Sequence, residues 1–312
     1  MVDMASKTAL IAIDWGTTSV RAYWLDASGT VLDMRSAPKG IQQIRDGDFS
    51  TALTQLLGEA DDDSVPHLAC GMIGSRQGWV EAPYVACPAP LSALVGGIVT
   101  VPGSGLRIVP GVSTRDAKDM PDVMRGEETQ LVGAVDAREQ RVLAVLPGTH
   151  SKWACIESGR IEDFMTFMTG ELWNVLLAHS ILGRLAAPLP KESPPGPAFL
   201  RGARSGLGSG GLEHDIFGAR TLALTGELAD HEVADWLSGL LIGREVRNAR
   251  KWAQRHGHDA SHVRLIGDDA LVARYMAAFA EADIGVDRFD GPAAAVGLWR
   301  LAVLARLVRP IH

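Results

Sequence analysis

Ile13-Asp14-Trp15-Gly16-Thr17-Thr18 and Leu146-Pro147-Gly148-Thr149-His150-Ser151 are the two stretches on which the reading of this chain turns. The first ends an apolar, β-rich run from Thr8 to Asp14. It leads into an alternating segment from Ser19 to Leu25, a turn at Asp26-Ala27-Ser28-Gly29, and a strand from Thr30 to Met34. The second repeats that arrangement. An apolar run from Val142 to Leu146 precedes a Gly-Thr turn, an alternating strand from Trp153 to Glu157, a turn at Ser158-Gly159, and a strand from Arg160 to Phe167. Self-similarity of this kind marks a duplicated unit. Two copies predict two similar α/β lobes, residues 1–139 and 140–312, facing each other across a cleft where a small molecule binds.

Each turn has a chemistry of its own. A strand that delivers Asp14 to the sheet edge places a carboxylate where it can hold Mg²⁺ directly or through water. Gly16 then lets the backbone approach a phosphate, and the hydroxyls of Thr17 and Thr18 donate to its oxygens together with the turn N–H groups. Gly148, Thr149, His150 and Ser151 offer the same donors from the second lobe. The alternative for either turn alone is an ordinary β-hairpin, where Asp, Gly and Thr are common.

Working outward, the pattern predicts a helix from Asp48 to Leu57 and a strand at His67 to Cys70. A glycine-rich loop from Gly71 to Trp79 and a helix from Met120 to Ala137 follow. The second half is mostly helical, with expected helices at Gly170 to Leu185, Ala219 to Leu228, His231 to His256, Ala270 to Glu281 and Gly291 to Leu307. Between them lie a Pro/Gly-rich connection at Pro188 to Pro197 and a strand, His262 to Ile266, that ends at Gly267. The run from Asp235 to Ala253 is expected to pack across the C-terminal lobe, with Gly239 and Gly243 letting it approach a nucleotide closely.

Composition narrows the partners. The chain has 312 residues, 30 Lys and Arg against 37 Asp and Glu, and a net charge of −7. With 46% hydrophobic residues it can build a large core. Mild acidity without a basic cluster argues against nucleic acid or an anionic membrane as partner. The most apolar stretch, Leu94 to Val112, is broken by Pro102, Arg107 and Pro110, so no membrane helix is expected. The N-terminus lacks a signal-peptide pattern, and the three cysteines Cys70, Cys87 and Cys155 read as reduced thiols, which together indicate a cytoplasmic protein. Gly206-Leu207-Gly208-Ser209-Gly210-Gly211 matches a dinucleotide fingerprint in letter only, without a preceding strand, and reads as a flexible loop. His256, His258 and His262 lack the partners of a known metal pattern.

Longer strings carry a family resemblance. They are Ile13-Asp14-Trp15-Gly16-Thr17-Thr18 with Arg21-Ala22, Gly71 through Trp79 with Ala82-Pro83-Tyr84, and Val123-Met124-Arg125-Gly126-Glu127-Glu128-Thr129-Gln130. Leu146 through Trp153, Thr169-Gly170-Glu171-Leu172 and Leu237 through Gly243 complete the set. Spread over almost the whole chain, they resemble the 2-dehydro-3-deoxygalactonokinase family of the actin, hexokinase and Hsp70 superfamily. The resemblance implies an α/β fold of two RNase H-like lobes around a central cleft. It implies ATP-dependent phosphorylation of the C6 hydroxyl of 2-dehydro-3-deoxy-D-galactonate, with ATP, Mg²⁺ and the sugar acid as small-molecule partners, and it leaves a homodimer open.

On that basis Asp14 is expected at the metal and in catalysis, with Glu127, Glu128 or Asp119 as the base. Gly16, Thr17, Thr18, Gly148, Thr149, His150, Lys152 and Gly267 are expected at the nucleotide. Arginine suits a sugar-acid carboxylate because its planar fork matches two oxygens. Arg76 and Arg125 are therefore expected at the substrate, with Ser75 beside them and Trp79 and Tyr84 as walls. The open alternatives are a kinase for another sugar or hexonate, and a phosphatase or polyphosphate hydrolase that uses the acidic pair to activate water.

Overall fold

The computed structural model describes residues 8–62, 64–187 and 193–309. Of the connection expected at Pro188 to Pro197, residues 188–192 lie outside the described residues. In chain order the strands of the first half are β1 (Thr8–Trp15), β2 (Val20–Asp26), β3 (Val31–Ala37), β4 (His67–Cys70), β5 (Tyr84–Ala86), β6 (Val99–Thr100), β7 (Arg107–Ile108), β8 (Gly111–Arg115) and β9 (Pro121–Met124). Helices α1 (Phe49–Leu57), α2 (Leu91–Gly96) and α3 (Glu127–Ala134) interrupt them. The second half holds β10 (Arg141–Leu146), β11 (Ser151–Glu157), β12 (Arg160–Phe167), β13 (His262–Leu265) and β14 (Gly285–Arg288). Its helices are α4 (Thr169–His179), α5 (Pro197–Leu207), α6 (Leu212–Asp215), α7 (Gly218–Leu224), α8 (Val233–Arg255), α9 (Asp269–Ala280) and α10 (Ala293–Leu304).

These elements form two compact units. One comprises Met1–Gln140, Ile156–Asp163 and Gly291–His312, the other Arg141–Cys155 and Phe164–Asp290. The first has a six-stranded sheet in the order β3-β2-β1-β4-β7-β6. Strands β1, β2 and β3 are antiparallel neighbours, whereas β4 runs parallel to β1 and β7 parallel to β4. Central strand β1 is covered on both faces, so Leu10 through Ile13 are all buried and its sequence is continuously apolar instead of alternating. A five-stranded sheet, formed mostly by the second unit, runs β12-β11-β10-β13-β14, with β13 parallel to β10 and β14 parallel to β13. Its order matches β3-β2-β1-β4-β7. The duplication expected from the two hairpins is thus present as strand order.

Four sequence expectations need correction. The helix expected from Met120 to Ala137 begins only at Glu127, because Pro121–Met124 pair antiparallel with β8 and Gly126 turns the chain at φ +107°. Helix α4 stops at His179, where Ser180 is extended and its side chain accepts the Leu182 N–H.

The last helix, expected in the 140–312 lobe, belongs to the first unit. Residues without a side chain make that packing possible: a Cβ at Gly297 would stand 1.9 Å from Thr129 O, and one at Gly133 would stand 2.0 Å from Ala293 O. Finally, α8 does pack across its unit, but Gly239 and Gly243 face helix α5. A Cβ at either would come within 2.3 Å of a carbonyl of α5, and Gly202 and Gly206 of α5 meet α8 in the same way. The glycine run after Gly206 is accordingly fastened. Arg244 donates to the carbonyls of Gly208 and Gly210 and pairs with Asp215.

Candidate active site

In the first unit, parallel strands β1 and β4 end side by side, with Asp14 opposite Cys70. A Cβ at Gly71 would stand 2.7 Å from Trp15 O and 3.5 Å from Asp14 Oδ1, and the Gly71 backbone lies against Gly126. Only glycine, at φ +93° and +107° respectively, lets these two loops close on the Asp14 strand end. The result is a cluster of Asp14, Cys70 and the first turn of α3, assembled from three segments far apart in sequence.

The carboxylates of this cluster differ in role. Asp14 is partly accessible and lies 3.8 Å from the Arg21 guanidinium. Burial pushes its carboxyl above the usual range, Arg21 pulls it back, and Glu127 pushes it up again. Glu128 is fully buried; its Oε2 accepts the Gly126 N–H at 2.7 Å and its Oε1 the Thr129 hydroxyl at 2.8 Å. Burial, then the neighbouring Glu127 charge, raises it to about 8. Glu127 is half-buried, and its carboxylate accepts the Arg125 N–H at 3.0 Å. Glu128 is therefore a sealed group that holds the Gly126 turn, whereas Asp14 and Glu127 are the reachable pair. Cys70 lies 4.0 Å from Asp14 Oδ1, but burial drives its thiol well above the ordinary value, which rules out a thiolate nucleophile.

Asp119 does not join the cluster. It occupies the β8–β9 turn at φ +62°, paired with Arg115, at the far end of a four-residue strand from Arg125. That distance is about 13 Å of strand. Among the described residues no group of three or more His, Cys, Asp or Glu could hold a metal. The donor set suits Mg²⁺ nonetheless, because Mg²⁺ takes one or two carboxylates and fills its shell with water and substrate phosphate.

The first hairpin is braced from behind. Gly16 and Thr17 carbonyls accept the N–H groups of Ile41 and Gln42 at 3.0 and 3.2 Å, which leaves Thr18 exposed and Thr17 half-buried. On the substrate side the expected residues separate. Arg125 and Ser75 are buried, with the Tyr84 ring 4.3 Å from the Arg125 guanidinium. Trp79 stacks on Phe49 at 6.0 Å and packs on the core, and Arg76 is exposed.

In the second unit, Gly148 and Thr149 line a pocket of about 260 Å³ with Thr169 and Gly170 at the start of α4. Its walls are apolar, from Trp173, Leu241, Ile242 and Leu271, and its polar groups are Asn174, Ser238 and Arg274. A helix start beside two hairpin donors favours an anion, and the apolar walls suit a planar base. Beneath it, buried Glu245 accepts Trp153 Nε1–H and the Tyr275 hydroxyl, each at 2.8 Å, and Ser151 lies 2.7 Å from the Tyr275 hydroxyl. His150 pairs with Glu171, and Lys152 is buried within β11. Gly267 stands beside Pro147 at the root of the hairpin, whereas Asp268 caps α9 and Asp269 pairs with Arg288.

Sequence reasoning missed Trp173, Asn174, Ser238 and Arg274. Ser238 lies within the string Leu237 to Gly243, and Trp173 and Asn174 directly follow the string Thr169 to Leu172; no local signal marks Arg274.

Comparison with known proteins agrees with this arrangement. A sequence model described as 2-keto-3-deoxy-galactonokinase matches residues 14–301. A 2-dehydro-3-deoxygalactonokinase of Escherichia coli is 38% identical over 269 residues, 86% of this chain and 88% of that one. A Rhizobium meliloti protein provisionally named for the same activity is 33% identical over 305 residues, 96% of this chain and 97% of that one. A crystal structure from Sinorhizobium meliloti, also provisionally so named, superposes with a TM-score of 0.84 at 34% identity, covering 95% of this chain and 98% of that one. The matched span includes the Asp14 strand end, both hairpins and the pocket of the second unit, and the chain belongs to the 2-keto-3-deoxy-galactonokinase family.

Proposed function

We propose that this enzyme transfers the γ-phosphoryl group of ATP to the C6 hydroxyl of 2-dehydro-3-deoxy-D-galactonate. The observation that carries the reading is the Asp14 carboxylate at the end of β1 with Glu127 at the start of α3, two partly accessible acids brought to one place by the Gly71 and Gly126 contact. Phosphoryl transfer asks a protein for positioning, charge neutralisation and a group that takes the proton of the attacking hydroxyl. Glu127, anchored by the Arg125 N–H, accepts that proton. Asp14 would hold Mg²⁺, which when bound neutralises charge on the transferring phosphate. Glu128 fixes the Gly126 turn and so sets the position of Glu127.

The nucleotide belongs to the second unit. The apolar walls take the base, and Gly148, Thr149 and the start of α4 donate to phosphate oxygens, with His150 at the same turn. Within the first unit, Gly16, Thr17 and Thr18 offer phosphate donors beside Asp14. A cytoplasmic location fits Cys70, Cys87 and Cys155, which form no disulfide. No helix among the described residues is long and apolar enough to cross a membrane.

A coupled ADP-release assay with Mg²⁺ and a panel of 2-keto-3-deoxy sugar acids tests the reading. Selective turnover of the galactonate derivative is expected. ADP release of equal rate without any sugar acid would replace the kinase with a hydrolase.

A further inference from the structure

We propose that Arg125 and Ser75 form the subsite that reads the carboxylate of the acceptor, with the Tyr84 ring as its cover. The inference rests on the sugar-acid kinase reading and names the residues that separate an acid from a neutral sugar.

Arg125 is 8% exposed and Ser75 is 9% exposed. Arg125 Nη2 donates to the neutral carbonyl of Ala82 at 2.8 Å, while Nε, Nη1 and the Ser75 hydroxyl have no partner. The nearest acidic residue in sequence, Glu127, binds the Arg125 main chain and not its guanidinium. A buried cation with unmet donors is among the costliest arrangements a fold can hold. An orphan of this kind calls for an explanation, and an anionic ligand supplies one.

The surroundings hold the loop that carries Ser75 against the guanidinium. A Cβ at Gly74 would stand 3.0 Å from Arg125 Nη1 and 2.8 Å from Ile108, so only glycine lets the Ser75 loop lie against the guanidinium. Tyr84 stacks on the guanidinium at 4.3 Å yet remains 43% exposed, on a three-residue strand. Its ring is the solvent-facing side of the enclosure around the guanidinium. Arg76, one residue from Ser75, is exposed and lacks any such enclosure.

The main chain of Arg125 also ties the subsite to the acidic turn: its N–H donates to Glu127 at 3.0 Å, so one short segment carries both the enclosed guanidinium and the carboxylate assigned to the acceptor hydroxyl.

The test compares the 2-keto-3-deoxy sugar acid with its neutral C1 carboxamide, by steady-state kinetics and by calorimetric binding to the full chain. Wild type is expected to prefer the acid by about 10- to 100-fold, the range of a charged hydrogen-bonded contact. Arg125→Gln should raise KM for the acid by a similar factor and reduce the preference to about twofold, with KM for ATP unchanged; Ser75→Ala should lower the preference about threefold. Equal binding of acid and carboxamide by wild type overturns the proposal, as does a folded Arg125→Gln protein that keeps the full preference. Should Arg125→Gln fail to fold, an unchanged preference in Ser75→Ala overturns it. Arg125-dependent binding of the acid without turnover upholds the subsite and removes the kinase reading. Turnover with a preference independent of Arg125 does the reverse.

Discussion

Gly170 lies against Gly148 so closely that a Cβ at position 170 would stand 2.6 Å from the Gly148 carbonyl oxygen and 2.9 Å from Thr149 Cα. The start of α4 and the second hairpin are therefore in backbone contact, and the Glu171 N–H donates to Thr149 O at 3.0 Å. Gly170→Ala must push the hairpin away from the helix. Forced displacements of this size cost about 1 to 3 kcal/mol. KM for ATP should rise about tenfold, with KM for the sugar acid within twofold, as read by varying each substrate in turn. A rise confined to the sugar acid would take the nucleotide away from this hairpin.

Asp14→Asn keeps the shape of the side chain and removes its charge. Turnover should fall by about 10² to 10⁴, the range for loss of a charged or proton-transferring group. The fold should not suffer. Burial raises the Asp14 pKa, so its ionised form is held at a cost at neutral pH, and the variant should melt at or above the wild-type temperature. Near-normal kcat would remove Asp14 from the mechanism.

Glu128 makes stability depend on pH. Its pKa rises from 4.5 to about 8 on folding, so between these values the folded protein binds more protons than the unfolded chain. The contribution is thus most favourable below about pH 4.5 and is lost as pH rises to about 8. Glu128→Gln mimics the protonated group and should abolish that component. Melting curves of both proteins from pH 5 to about 8.5 are expected to diverge in favour of the variant toward the alkaline end. Parallel curves would show that Glu128 does not titrate in this window.

The crossing of α5 and α8 is set by glycine. Gly239→Ala places a methyl about 2.0 Å from Phe199 O, which neither helix can absorb without moving apart. A loss of about 1 to 3 kcal/mol in urea unfolding is expected. Because Leu241 and Ile242 of the same helix line the pocket, a modest rise in KM for ATP should accompany it.

Asp119→Asn is expected to leave kcat and KM within about twofold and stability within about 0.5 kcal/mol. Asn tolerates the left-handed backbone found at φ +62°, and the side chain is largely exposed. A large loss of turnover would return Asp119 to the list of bases.

Much of this molecule is legible in short stretches. The hairpins at Asp14 and Pro147 could be read because their strands pair with their immediate neighbours and their turns use Gly, Asp and Ser for local reasons. Helix α8 could be read from its length and its apolar spacing. The segment from Met120 was misread as helical because β9 owes its conformation to β8, through Val112 opposite Met124 and Ser113 opposite Val123. No local propensity reports such a partner. The glycines of α8 were visible, but their use was not, since a small residue serves a nucleotide and a neighbouring helix equally well.

By itself the sequence determined the two hairpins with their Gly-Thr turns and the acidic string at Glu127 and Glu128. Each of these is written in residues within a few positions of one another. Only the tertiary structure decided that Glu128 is sealed while Glu127 is reachable, that Asp119 stands apart, that Arg125 is enclosed and Arg76 is not, and that α10 joins the first unit. The physical reason is the same in each case. Burial, desolvation and close backbone approach depend on what another part of the chain places against a residue, and a residue's own neighbours in sequence do not specify that.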